Sequence, residues 1–495
     1  MKTIDIVSMP PLKRFGYRLA TGVKHLPQGL RQMSAAVWRG MRKRAAGIRD
    51  AAKEYVSMFR KGDVRTRLSY GIMGTGCFLR GQLVKGLTYL FLQAAFIVYM
   101  ATFGLSRLAL LPSLGKAVKQ EVWNEKLQIY EYIQGDNSML ILLFSVLTLF
   151  ILFAFLGAYF ASVRTAFRNQ ELMENGHRPP GFLADLRHLI DSRLHVAFLT
   201  PPIFGVFLFT ILPLIFMILI AFTNYDSAHQ PPGTLFTWVG FENFKNIFWS
   251  NPIQSQTFAG IFRWTLVWAF FATFSNYILG MILALMINKK GIRFKKLWRT
   301  IFIVTIAVPQ FVSLLLMSRL LADQGALNVL LGQLGIERIP FLTNAIWARI
   351  TVIVVNIWVG IPYTMLITSG ILMNIPAELY ESARIDGAGV LKTFSKITMP
   401  YMLFVTTPYL ITQFIGNINN FNVIYLLSGG GPLSLDYYQA GKTDLLVTWL
   451  YKLTVNNQDY NLASAIGIII FVVSAVLSLI VFNLSASTRK EDTFQ

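Results

Sequence analysis

The stretch ELYESARIDGAGVLKTFSKITMP, residues 378–400, is polar yet lies between two hydrophobic runs, and its reading decides the fold around it. Pro376 suits a first helical turn, Glu378 and Glu381 lie near that turn's positive dipole end, and Gly387 and Gly389 supply a stop. The stretch reads as helix, glycine turn, helix. A plain link between two membrane spans needs no such specified chemistry, so this one is expected to be a contact element.

Outward from it the chain is apolar. Of its 495 residues 54% are hydrophobic and 14% aromatic, more apolar surface than one soluble core needs. A bilayer is the fitting solvent, and crossing about 30 Å of hydrocarbon at about 1.5 Å per residue takes about 20 apolar residues. Eight runs qualify, near 84–105, 138–163, 200–223, 264–287, 300–321, 346–373, 401–420 and 463–484. The expected fold is an all-α polytopic membrane protein with about eight transmembrane helices.

The net charge of +21 would suit a nucleic-acid surface, but its distribution is that of a membrane protein. Basic residues crowd alternate loops. Residues 288–299 hold Lys289, Lys290, Arg293, Lys295, Lys296 and Arg299 with no acid, whereas 224–262 hold only Lys245 against Asp226 and Glu242. The region before the first span is also strongly basic. Both termini and residues 378–400 are therefore expected on the cytoplasmic side, and no nucleic-acid partner is expected. Cys77 is the only cysteine, which excludes an intrachain disulfide or a cysteine zinc cluster. No compact apolar core with a small-residue cleavage site opens the chain, so the first span is expected to serve for insertion.

Four segments follow. Residues 1–70 mix Lys and Arg with Trp38, Tyr55, Met58 and Phe59, which suits helices on the lipids of an anionic leaflet or, equally, a tail whose charge only sets orientation. Residues 71–199 carry two additional spans and a cytoplasmic linker whose His177 and His188 lack partners at metal-ligand spacing. Residues 200–488 form a six-span core that includes the loop 374–400, and residues 489–495 are a cytoplasmic tail.

Within that core, Glu381-Ser382-Ala383, Asp386-Gly387-Ala388, Phe394, Ile397 and Pro400 resemble the EAA loop of ABC importer permeases, which docks into a cleft of the ATPase subunit. The segments Phe222-Thr223-Asn224-Tyr225-Asp226, Asn419-Asn420-Phe421 and Gly429-Gly430-Gly431-Pro432 look like the sugar-importer branch. Residues 356–363, residues 441–447 and Asn483-Leu484-Ser485-Ala486 are most similar to MalF-type subunits of maltose and maltodextrin importers.

The resemblance implies a permease subunit in a bacterial plasma membrane that imports an oligosaccharide. Its partners would be a second homologous permease subunit, an ATPase dimer and an external sugar-binding lipoprotein. It also implies that Glu381, Ala383, Asp386, Gly387, Ile397 and Pro400 meet the ATPase, and that this chain binds no cofactor, ATP and Mg belonging to that partner. One departure matters: enterobacterial forms carry a large external domain after the third span, whereas residues 224–262 are a short loop. That suggests a binding protein tethered to the membrane.

Other motifs narrow the chemistry. Gly441-Lys442-Thr443 looks like the end of a phosphate loop, but Asp436 stands where the first glycine is needed and no strand precedes it, so no nucleotide hydrolysis is expected here. The 24 acidic residues all fall in loops or at span edges, which argues against an ion-coupled carrier without excluding one that uses carbonyls and hydroxyls. A membrane scaffold using the basic N-terminus is the third class.

Polar amides inside spans need a role, because an unsatisfied amide facing lipid costs several kcal/mol. Asn356, Gly360 and Tyr363 recur at i, i+4 and i+7 on one helix face, and Gln413, Asn417 and Asn420 follow on a later span. Interhelical hydrogen bonding explains them as well as a sugar pocket does, in which amides meet hydroxyls and aromatic faces cover a pyranose. In MalF-type subunits the matching positions contact sugar, and that resemblance favours the pocket, with Gly360 leaving room for a ring. Pro309 should kink the fifth span.

Overall fold

In hydrocarbon every backbone N–H and C=O must be satisfied within its own segment, so long apolar runs become helices. The computed structural model describes residues 38–484 apart from 41, 44, 45, 48, 126, 134 and 290. Most of the basic segment 1–70 and the tail 489–495 thus lie outside the described residues. The chain divides into two compact units, one of residues up to Gly115 with Met139–Phe216, the other of Lys116–Ser138 with everything from Met217 onward.

The first unit contains α1 (Val64–Gly71), α2 (Thr75–Phe78), α3 (Leu83–Leu110, with a π-helical turn at Met100–Gly104), α4 (Ser138–Glu174), α5 (Phe182–Asp191) and α6 (Leu194–Ile220, passing into the second unit at Met217). Its buried polar knot is centred on Arg80, whose side chain is 1% exposed. One guanidinium nitrogen donates to the carbonyls of Gly76 (2.9 Å) and Ala166 (3.2 Å), the other to Asp63 Oδ1 (2.6 Å) and Thr66 Oγ1 (2.8 Å). Asp63 also caps α1 by accepting from the Thr66 N–H at 2.8 Å. Gln170 of α4 accepts from the Asp63 N–H and the Thr66 hydroxyl, both at 2.9 Å. Every group of this knot has a partner, so α1 and α2 are pinned to α4.

The second unit opens with an antiparallel hairpin, β1 (Gln120–Asn124) and β2 (Ile129–Ile133), in register from Gln120↔Ile133 to Asn124↔Ile129. It continues through α7 (Pro252–Asn288), α8 (Lys295–Ala307), α9 (Gln310–Leu320), α10 (Ala345–Leu372), α11 (Ala377–Ile385), α12 (Val390–Thr393), α13 (Met399–Ile418), α14 (Asn422–Ser428), α15 (Leu446–Tyr451) and α16 (Tyr460–Leu484). Helix α7 is the spine. Asn251 caps it by accepting from the Gln254 N–H at 3.2 Å, and Pro252 takes the first position, where a missing N–H costs nothing. One stretch of α7 packs Trp264, Trp268 and Ala272 against Val352 and Val355 of α10; another packs Ile261 and Ala269 against Trp449 and Ile466.

Glycine lets α7 and α10 approach closely. A β-carbon on Gly280 would stand 2.7 Å from Thr364 Cβ and 3.0 Å from the Met365 backbone nitrogen. Where α13 meets α7, Trp268 Nε1 donates to the Asn417 carbonyl at 3.1 Å and Tyr277 hydrogen-bonds Thr406 at 2.8 Å.

Fewer helices qualify as spans than the eight expected. Among the described residues six are long and apolar enough, or seven if α8 and α9 count as one span bent by 87°. The bend falls at Val308-Pro309, where proline removes a backbone donor, so the expected kink is a full break. The remaining expected span, 401–420, is helical as α13, but Thr406, Thr407, Thr412, Gln413 and Asn417 lower its hydropathy.

The loop after α14 hides a carboxylate that its position in the sequence does not betray. Asp444 is fully buried under Gly430, where a β-carbon would stand 1.9 Å from its Oδ1. It pairs with Lys452 Nζ at 2.6 Å and accepts from the Gly441 N–H at 2.7 Å and the Thr448 hydroxyl at 2.9 Å. Burial pushes its carboxyl above the ordinary range, although Lys452, Gly441 and Thr448 pull it back. The Gly441-Lys442-Thr443 segment therefore serves a structural turn.

Candidate functional site

Two sites stand out in the second unit. The first is the helix, turn, helix of residues 376–400. Pro376 precedes α11, and Gly387 ends it at φ +68°, a left-handed conformation in which a β-carbon is strained. The Ala388 N–H bonds the Ala383 carbonyl at 2.8 Å and the Gly387 N–H bonds the Arg384 carbonyl at 3.0 Å, closing the helix end as a Schellman turn. Gly389 then starts α12.

Of the residues singled out here, Ala383 is buried against the bundle and Ile397 half-buried, whereas Glu381, Asp386, Gly387 and Pro400 face outward. Sequence reasoning missed the apolar side chains beside them. Ile385, Val390 and Leu391 are 85%, 88% and 83% exposed around the turn, an apolar tip on a polar element. Tyr380 steadies it from behind through Thr398, 3.1 Å away.

The second site is a cavity of about 60 Å³ between α7, α10 and α13, lined by Ala272, Thr273, Asn276, Tyr277, Gly360, Tyr363, Thr364, Tyr409, Leu410 and Gln413. That volume holds a few water molecules. Beside Ala272, Gly360 and Leu410 the lining is amides, hydroxyls and phenol rings, with no Lys, Arg, Asp or Glu. It brings together Gly360, Tyr363 and Gln413 from the expected set.

Asn356 lies one helical turn before Gly360, 6% exposed, its Nδ2 buried without an acceptor. Asn417 and Asn420 do not line the cavity. Asn417 Nδ2 donates to Thr273 Oγ1 at 2.9 Å, tying α13 to α7, while Asn420 Nδ2 reaches Asn417 Oδ1 at 3.3 Å and Asn420 Oδ1 accepts from the Val423 N–H at 3.2 Å at the start of α14.

Gly360 also differs from its expected use. Its free face does not stand empty for a ring, because the Asn276 carboxamide packs there, with Nδ2 2.3 Å from where a β-carbon would be. Ala272, Thr273, Asn276, Tyr277, Thr364, Tyr409 and Leu410 lie outside the expected set, and the amide among them is Asn276. Its signal was a lone amide midway along an apolar run, the same signal that singled out Asn356.

The geometry is a helical bundle with a small polar cleft and an exposed helix-turn-helix whose tip is apolar. The chain is 36% identical over 422 residues to the galactooligosaccharides transport system permease protein GanP of Bacillus subtilis, an alignment covering 85% of this chain and 97% of that one. Residues 276–490 match the family model described as the binding-protein-dependent transport system inner membrane component. The chain belongs to this family.

It is thus a multi-pass membrane protein and the permease component of an ABC transport system. Among other relatives, the maltodextrin transport system permease protein MdxF of Bacillus subtilis is 33% identical, with 85% of this chain and 95% of that one aligned. The maltose/maltodextrin permease MalF of Escherichia coli is 36% identical over 274 residues, 54% of this chain and 52% of that one. A crystal structure of a bacterial alginate ABC transporter, bound to a periplasmic protein carrying an alginate pentasaccharide, shares the fold with TM-score 0.50 and 25% identity, covering 61% of this chain and 96% of that one.

Proposed function

We propose that this permease carries a neutral oligosaccharide of the maltodextrin type into the cytoplasm, driven by ATP hydrolysed on a separate ATPase dimer. The cleft supports this most directly. Its amides and hydroxyls both donate to and accept from sugar hydroxyls, its phenol rings offer stacking faces, and it lacks the cation that an acidic sugar would need for charge pairing. Residues 200–488 form the translocating domain. Residues 71–199 add two membrane-spanning helices, Leu83–Leu110 and Ser138–Glu174.

In the assembled importer a second homologous permease faces this one and an external sugar-binding lipoprotein delivers the substrate. ATP-driven closure of the ATPase dimer moves the α11–α12 element. Ile385, Val390 and Leu391 enter the ATPase cleft beside Glu381 and Asp386, which supports the coupling role because bare apolar side chains at a helix tip are the chemistry of a docking knob. Gly387→Val and Glu381→Lys are expected to leave membrane insertion intact and abolish uptake by weakening ATPase docking, read by co-purification of the ATPase with the permease.

The GanP similarity favours a second reading, a galactooligosaccharide substrate on the same cleft. Proteoliposomes of the whole importer decide between them. Uptake of labelled maltotriose, resisting competition by β-galactotriose, supports the maltodextrin reading; the reverse supports the other, and uptake of neither overturns an oligosaccharide substrate.

A further inference from the structure

Two buried polar atoms, one in the wall of the cleft and one beside it, are not satisfied by the protein. Asn276 Oδ1 on α7 has no donor, and Asn356 Nδ2 on α10, one turn before Gly360, has no acceptor. Leaving such groups unpaired is costly, so each requires a reason. The nearby amides of Asn417 and Asn420 are paired within the bundle, so the unmet groups are those of Asn276, which lines the cavity, and of Asn356, one turn from its Gly360 wall.

Asn276 is also placed where a ligand must go. It lines the cavity with Tyr363 and Gln413, and it fills the space that the missing side chain of Gly360 opens.

We propose that Asn276 is a sugar-contacting residue that determines specificity, its carboxamide holding the place of a sugar hydroxyl in the sugar-free chain and turning onto that hydroxyl when the sugar enters. A hydroxyl that donates to Asn276 Oδ1 and a neighbouring one that accepts from Asn356 Nδ2 would satisfy both orphaned groups at once. The rival role is a wedge that merely spaces α7 from α10. This inference rests on the oligosaccharide reading of the cleft, so its test separates the two.

The complete importer is reconstituted in proteoliposomes, with binding protein at saturating concentration so that receptor selectivity drops out. Uptake of maltotriose and of its monodeoxy derivatives is measured per assembled complex, or β-galactotriose and its derivatives if the wild type carries those. Wild type carrying neither sugar overturns the proposed function, and this inference with it.

Where wild type transports, it should slow at least one monodeoxy sugar by about tenfold or more, the usual consequence of one lost buried hydrogen bond. Asn276→Ala should reduce that single penalty to about twofold or less while leaving the others. Persistence of every penalty in Asn276→Ala, or no penalty in wild type, overturns the contact. If the alanine variant fails to assemble, Asn276→Ser serves in its place and is judged by the same penalties.

Gly360→Ala supplies a second arm, because its β-carbon meets the Asn276 amide and drives it into the sugar's space. It should slow maltotriose below the rate of Asn276→Ala, and adding Asn276→Ala should bring the rate back to that of the single Asn276→Ala variant without restoring the one lost penalty. Return of that penalty in the double variant would mark Asn276 as a wedge only.

Discussion

The Arg80 knot of the first unit and the Asn276 cleft of the second are both polar clusters buried among apolar helices, and they differ in how far they are satisfied. Arg80 makes four hydrogen bonds, and Asp63, Thr66 and Gln170 around it are all paired. At the cleft, Asn276 Oδ1 in the wall and Asn356 Nδ2 one turn before Gly360 have no partners. A complete network fixes one arrangement, whereas an incomplete one around a cavity leaves capacity for a ligand. Burial of polar groups alone therefore does not mark a site; unmet hydrogen bonding beside empty volume does.

The comparison can be broken in several ways. The largest effect should come from the seam that frames the cleft. Gly280→Val places its β-carbon against the backbone nitrogen of Met365, which cannot swing aside, so α7 and α10 must separate and little assembled complex should be recovered by size-exclusion chromatography. Gly360→Ala meets only the end of a side chain and should assemble normally. Equal assembly of the two would remove the distinction between a structural seam and a yielding wall.

Arg80→Ala comes next. Removing the guanidinium leaves the buried Thr66 hydroxyl and the Gly76 and Ala166 carbonyls short of a donor, while the Asp63 side chain, 41% exposed, can turn to water, so the loss is about 1–3 kcal/mol, seen as a lower melting temperature of the purified complex. Transport per surviving complex should not change. Tyr363→Ala should show the converse, a normal melting temperature with uptake per complex reduced about tenfold through the lost stacking face.

The smallest effect is a pH dependence. Although burial works the other way, the Thr66 backbone N–H and the Arg80 guanidinium hold Asp63 below the ordinary carboxylate range. A lowered folded pKa means that the unfolded chain binds more protons in acid. The stabilisation is therefore complete above the ordinary aspartate value of about 3.9 and fades as pH falls through the folded value. In thermal scans between pH 7 and pH 3, Asp63→Asn should flatten the acid loss and leave the slope between pH 6 and pH 8 untouched.

Much of the fold was legible because bilayer burial is written locally. The run 84–105 became a helix over Leu83–Leu110, and the dipole and glycine pattern of residues 376–400 became helix, turn, helix. What escaped the reading is nonlocal. Asp444 looks like an ordinary loop acid until Gly430, Gly441 and Lys452 close over it. Thr406 and Gln413 made α13 a less apolar helix because one bonds Tyr277 of α7 and the other lines the cleft. The register that seats Asn276 on Gly360 joins residues 84 positions apart, which helical periodicity cannot supply. The hairpin at Gln120–Ile133 is short and mixes charged with aromatic residues, so it leaves no apolar run of span length.

The most direct test of the division between a satisfied knot and an open cleft is uptake per assembled complex in proteoliposomes, measured side by side for Gln413→Ala and Arg80→Ala. Gln413→Ala should yield a normal amount of complex with sugar uptake per complex reduced about tenfold, and Arg80→Ala less complex with a normal rate. A normal rate in Gln413→Ala together with a reduced rate per complex in Arg80→Ala would contradict it.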